Sequence, residues 1–171
     1  MTTTTLPALR DGTWTVDLAG TTATFTAREL GFIRVSGGLT VTGGTATVVG
    51  GRPVAATATL DAGSVRTGNA RRDRDLAGPR FFRAAEHPQI EVRTTEVTPG
   101  EHGWSAAAVF TLAGGRAPLD LRATVTGRGP GRLHLTIAGV LDLGGTPVRP
   151  PRWLISHRVA IEVQATLREP R

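Results

Sequence analysis

Thr67–Val97, TGNARRDRDLAGPRFFRAAEHPQIEVRTTEV, carries the reading of this chain. Thr67 and Asn69 offer side-chain oxygens that cap a helix over Asn69–Ala77, and Gly78 ends it. Pro79 suits the first position of a second turn, which presents Phe81 and Phe82. Pro88 pushes His87 out of helical geometry, so the chain enters a strand over Gln89–Val97. The rest of the sequence reads as strands, which makes this the one helical insert. A helix with adjacent aromatics beside the mouth of a β-structure is a natural plug or gate.

Outward from this stretch, apolar and polar residues alternate with period two. Trp14, Val16 and Leu18 share a face, as do Ala23, Phe25 and Ala27, then Val35, Leu39 and Val41, then Val54, Ala56, Ala58 and Leu60. After the helix come Ile90, Val92 and Thr94, followed by Trp104, Ala106, Ala108, Phe110 and Leu112. Leu119–Val125, Leu133–Ile137 and Ile161–Leu167 repeat the pattern. Each run is a half-buried strand with one wet face. Glycine pairs at 43–44, 50–51, 114–115 and 144–145 and the Gly127–Gly131 stretch read as turns; Gly37-Gly38 is either a turn or a bulge within a strand. Successive antiparallel strands with short connections form a meander, and closing it into a barrel removes the exposed edges. The fold class is therefore all-β: a single antiparallel closed β-barrel of about eight strands with one short helical insert.

Length and composition bound what such a barrel does. The chain has 171 residues, enough for one domain, expected over 12–168 behind a flexible N-terminal tail at 1–11. It has no cysteine, so disulfide and thiolate chemistry are excluded. Its four histidines show no metal-ligand spacing, and no metal or cofactor is expected. The opening MTTTTLPALRDG does not read as a secretory signal, and no apolar run is long enough to span a bilayer, which points to a soluble cytoplasmic protein. The net charge is +6 and all of its basic residues are arginines, yet Arg72 and Arg74 alternate with Asp73 and Asp75. That pattern suits a solvated surface better than a nucleic-acid interface, so nucleic acid is not expected as a partner.

The inward faces are rich in alanine, and the chain has only five phenylalanines and no tyrosine. Small inward residues leave volume, and an apolar void is stable only when dry or occupied by something apolar. A hydrophobic small molecule or lipid is the expected partner. Candidate contacts are Trp14, Phe25, Leu39, Ala106, Ala108 and Phe110 on the inward faces, with Phe81, Phe82 and Trp153 at a mouth. One of the two adjacent phenylalanines is expected to plug the barrel and the other to border its entrance. Glu29 continues the phase of Phe25 and Ala27, and His157 that of Val159 and Ile161. Either residue touches a ligand from inside, or Glu29 sits solvated at the rim and His157 is a packed core residue. In an enzyme, the two would be the acid–base candidates.

These residues also carry a family resemblance. Thr67-Gly68, Arg72-Asp73 and Leu76, then Phe81-Phe82 and Ala84, then Pro88 and Ile90, resemble the central signature of YceI-like proteins. Trp14-Thr-Val16-Asp17 with Thr24-Phe25, and Thr111–Gly114 with Pro118–Leu121, are similar to that family's flanking elements. The chain departs from the pattern where Glu29 and Asp75 replace histidines, Arg83 replaces an aspartate, His87 replaces a tyrosine, and a Pro147–Trp153 loop stands near a missing late motif. The resemblance implies a lipocalin-like barrel that binds a polyisoprenoid, quinone-like or fatty-acyl lipid for carriage or storage, and a homodimer. It also implies that Arg72, Asp73 and Asp75 are mainly structural. A cyclase or isomerase that uses the barrel as a reaction chamber is the competing class.

Overall fold

The computed structural model describes residues 6, 8–29, 33–148 and 157–171, with the side chain of residue 29 excluded. Its strands are β1 (Gly12–Val16), β2 (Thr22–Glu29), β3 (Ile33–Val49), β4 (Arg52–Arg66), β5 (Gln89–Pro99), β6 (Gly103–Leu112), β7 (Gly115–Gly129), β8 (Arg132–Asp142) and β9 (Arg158–Arg168). All pairings are antiparallel. From β2 to β9 each strand pairs with the next in sequence, and β9 pairs back onto β2. The meander closes as expected into an eight-stranded barrel, with β1 as an extra strand.

β1 and β2 occupy one position in the barrel wall. Both run against β3, with Gly12 opposite Val48 and Glu29 opposite Ile33, and both pair with β9 on the other side. The chain leaves this line at a 3-10 turn over Leu18–Gly20. Buried Asp17 holds the break: its backbone N–H donates to the Thr166 carbonyl at 2.8 Å, and its carboxylate pairs with Arg132 and Arg168 at 3.1 Å each. Residues 8–11 lie against this end of the barrel. Leu9 is buried, its N–H donates to Gly51 O, and the Asp11 carboxylate accepts from the Gly51 N–H.

The β3–β4 pairing shifts register three times, with the extra residues on β4 opposite Gly38/Thr40 and Thr47/Val48 and on β3 at Val41/Gly43. Gly37-Gly38 therefore lies within β3, and Gly43-Gly44, expected as a turn, is also within β3. The extra residues let the two long strands follow the curvature that closure demands. The real turn is Gly50-Gly51, with φ of +62° and +78° at its two residues, a conformation that favours glycine and joins β3 to β4 tightly. Val54, expected inside, is 49% exposed on β4, because the shift at Thr47/Val48 changes the phase of the pairing there.

The single helix, α1 (Ala70–Ala77), lies where the sequence places it. Asn69 caps it by accepting from the Arg72 N–H at 3.1 Å, and the chain turns at Gly78. Backbone bonds from Phe82 to Leu76, Ala84 to Ala77 and His87 to Arg83 then knit the following loop into one body with the helix.

Gly37 faces inward under the Phe25 ring. A Cβ there would stand 2.5 Å from Phe25 Cζ and 2.7 Å from the Arg66 carbonyl oxygen, whereas one at Gly129 meets nothing within 4 Å. Gly37→Ala should cost about 1–3 kcal/mol in urea unfolding, with Gly129→Ala as the near-neutral control.

Candidate ligand-binding lumen

The inward side chains fall into two packed groups joined by a looser middle. At the end under α1, Ala27, Ile90, Phe110, Leu112, Leu141 and Val159 are buried together. At the other end, Leu9, Trp14, Trp104, Leu133, Leu135 and Leu167 form a second buried cluster, with the Trp14 indole N–H donating to the Arg10 carbonyl at 2.9 Å. Between them, Phe25, Leu39, Val92, Leu121, Ile161 and Val163 point inward and are only half-buried. An inward apolar side chain deep in a closed barrel stays accessible only when the space beside it is unfilled.

That space takes the form of two cavities in tandem. The near one, about 350 Å³, lies beneath α1 and is lined by Phe25, Leu39, Phe81, Phe82, Phe110 and Ile161 among others. The far one, about 190 Å³, is lined by residues from most of the strands, including Trp14, Val41, Ala106, Leu121 and Ile161. Ile161 borders both. A larger, more open depression of about 780 Å³ lies on the outer face, bordered by outward Thr24, Asp120, Arg122 and Glu162 together with Ala138, Val140 and Ala160.

The near cavity opens between α1 and β2. Arg28, Asn69, Arg71, Arg72 and Asp75 line this mouth, with Leu76 and the two phenylalanines beneath them. The helix is tied to the barrel through Thr67. Asp73 accepts from the Thr67 N–H at 2.8 Å and from its hydroxyl at 2.6 Å, while the Arg72 guanidinium donates to the Thr67 hydroxyl and carbonyl at 2.8 and 3.2 Å. Arg72 and Asp73 thus meet at a third residue, and Asp75 is an exposed mouth residue. Arg83, which takes a positive φ of +51°, pairs with Glu86 beside the mouth.

The expected contact residues are distributed as follows. Trp14 and Ala106 line the far cavity, and Phe25, Leu39 and Phe110 the near one. Phe81 and Phe82 both line the near cavity, on a loop whose backbone is bonded back to α1. Ala108 is buried in the wall and lines neither cavity. His157 Nε2 is buried without a hydrogen-bond partner among the described residues, and His157 also lines neither cavity. The Glu29 side chain and Trp153 lie outside the described residues. Ile161, Arg28 and Arg71 were not singled out by sequence. Ile161 sits on the inward face of an alternating run but looks like any other core isoleucine there.

The model of the YceI-like domain matches residues 14–167. The chain belongs to the YceI-like family. Over 70 residues, 41% of the chain, it is 36% identical to a UPF0312 protein of Yersinia pestis, and that match spans 36% of the relative's length. BcnA of Burkholderia cenocepacia has the same fold, with a TM-score of 0.74 at 19% identity over 88% of this chain and 98% of that one. A polyisoprenoid binding domain from Saccharophagus degradans superposes with a TM-score of 0.70 at 15% identity, covering 96% of this chain and 100% of that domain.

Within this YceI-like barrel the Thr67 junction is what holds the helical plug. Asp73→Ala removes both bonds to Thr67 and should cost about 1–3 kcal/mol locally. Hydrogen exchange over 70–84 should accelerate while the strands keep their protection. Uniform loss of protection across the barrel would show that the helix is part of the global core instead.

Proposed function

We propose that this protein binds a long apolar molecule, a polyisoprenoid, quinone-like or fatty-acyl lipid, along the barrel axis and carries or stores it. The observation that carries this reading is the ring of inward, half-buried side chains between the two packed ends, with Ile161 lining both cavities. Two apolar spaces in line suit a chain better than a compact molecule. The polyisoprenoid binding domain with the same fold supports the same ligand class.

The energetics favour occupancy. Left unfilled, an apolar cavity costs about 24 cal/mol per Å³. For the far cavity of about 190 Å³ that is ~4–5 kcal/mol, a large share of the 5–15 kcal/mol by which domains are stable. A chain that fills it recovers dispersion contacts and removes its own surface from water. The Thr67 junction and the two phenylalanines then act as the cover through which the chain passes. The family resemblance extends the reading to a homodimer, which light scattering on the purified protein tests directly.

The ligand should be visible in native mass spectrometry as a co-purifying apolar molecule. In solution, affinity for a series of linear chains should rise about fourfold per added methylene, from ~0.8 kcal/mol of burial each, until the lumen is full. Ala106→Trp fills the far cavity, so the plateau should arrive at a shorter chain in that variant. A plateau at the same length in both proteins, or no dependence on length, would show that the far cavity does not receive the chain.

A further inference from the structure

We infer that Leu9 is the floor of the lumen, and that residues 8–11, strapped across the far end of the barrel, set the longest chain it accepts. The inference rests on the lumen-binding reading above and adds the element that fixes chain length. Among the residues lining the far cavity, only Leu9 and Thr21 lie outside the strands, and Thr21 stands at the β1–β2 break in the wall. Leu9 is 6% exposed and belongs to the cluster of Trp14, Trp104, Leu133 and Leu167. Its backbone N–H donates to Gly51 at the β3–β4 turn, so its side chain enters the lumen at the level where the wall ends.

Each residue of the strap is fastened by a hydrogen bond. The Ala8 carbonyl accepts from the Arg128 guanidinium at 3.3 Å, and the Leu9 N–H donates to Gly51 O at 3.0 Å. The Arg10 carbonyl accepts from the Trp14 indole at 2.9 Å, and the Asp11 carboxylate from the Gly51 N–H at 2.7 Å. Gly51 belongs to the β3–β4 turn, and Arg128 stands beside the β7–β8 turn. In the ring that runs from β2 to β9 and back, those two turns are four strands apart, on opposite walls. The strap therefore crosses the opening between them. Glycine at 51 permits the close approach, because a Cβ there would stand 3.2 Å from Ala8 Cβ. A chain running down the lumen meets the Leu9 side chain at this end instead of water. Methylenes added beyond that point gain no further burial while the strap holds.

Displacement of an uncharged apolar fluorophore by the linear alkanols from decanol to eicosanol tests the assignment. For the parent protein, affinity should climb about fourfold per methylene and then level off. Leu9→Ala takes the isopropyl group out of the floor, so its affinities should keep climbing for about two to three further methylenes before levelling. Asp11→Ala leaves every lining residue in place and loosens the strap, and it should extend the climb in the same direction. Melting temperatures show which proteins are folded; should Leu9→Ala fail to fold, Asp11→Ala carries the test on the same terms. A folded Leu9→Ala protein that levels off at the parent's chain length overturns the floor assignment, whatever Asp11→Ala does, and leaves the lumen reading intact. Failure of every alkanol to displace the fluorophore, or displacement by the parent with no dependence on length, removes the lumen reading, and the floor falls with it.

Discussion

Closure of the sheet is the constraint on which everything else in this molecule depends. A meander with two free edges would expose rows of unpaired backbone groups, and here the β2–β9 and β3–β4 pairings remove them. β3 and β4 share the deformation. β3 spans 17 residues, pairs with β4 along its length, and serves β2 with one half and β1 with the other. Three register shifts, two with the extra residues on β4 and one on β3, accommodate the curvature without breaking the pairing. Small residues at the bends allow close approach, as where the Phe25 ring lies over Gly37. The aromatic ring restores the packing that a missing side chain would forfeit, and the strand keeps its curvature.

Once the wall is closed, the size of the inward residues decides what the interior is. Tryptophans at positions 14 and 104 and leucines from β8 and β9 fill one end, and Ile90, Phe110 and Leu112 fill the other. Between them the inward side chains pack against these clusters yet stay partly accessible to the two cavities. The Asp17 ion pairs and the Leu9 contact fasten the far end. The near end has its own buried cluster, and among the described residues α1 and its loop lie over it, held by hydrogen bonds centred on Thr67. The two ends therefore differ in their cover: at one the tail residue Leu9 joins the core, at the other a short helix with a polar junction borders an apolar cavity. No residue of α1 is buried, so local opening there disturbs fewer buried contacts than opening in the strands.

The barrel was legible in the sequence because alternation of period two and glycine-marked connections are local signals. The helix was legible because Asn69 caps it, Gly78 is a poor helix former, and Pro79 and Pro88 restrict the backbone at and just before their own positions. What sequence did not reveal depends on contacts between distant residues. Gly43-Gly44 reads as a turn locally, and only its pairing with Thr59 and Ala58 shows that it continues β3. That adjacent Phe81 and Phe82 both reach one cavity depends on a loop bonded back to Leu76 and Ala77, which no local pattern announces. Ala108 shares its alternating face with Ala106, yet one is wall and the other borders a cavity, because volume is set by what stands opposite. Arg71 looks like one charge in a balanced run; the difference between it and Arg72 is that Thr67 engages only the latter.

Stability and occupancy are coupled in such a design. The half-buried ring at mid-barrel forgoes dispersion contacts that a fully packed core would have, and the proposed chain would supply them. A ligand that binds the folded barrel and not the unfolded chain stabilises it by mass action, about 2.7 kcal/mol at a hundredfold excess over its dissociation constant. That is comparable to what the larger of the single-residue changes in the core would remove. The same reasoning sets a limit on how well the lumen can be packed by its own side chains. Enlarging Ala106 or Ile161 to fill the cavities would strengthen the empty barrel and, by the same contacts, displace the chain. On the proposed reading, the small inward residues are the point at which this sequence gives up self-packing in favour of a guest, and the two packed ends supply the stability that offsets it.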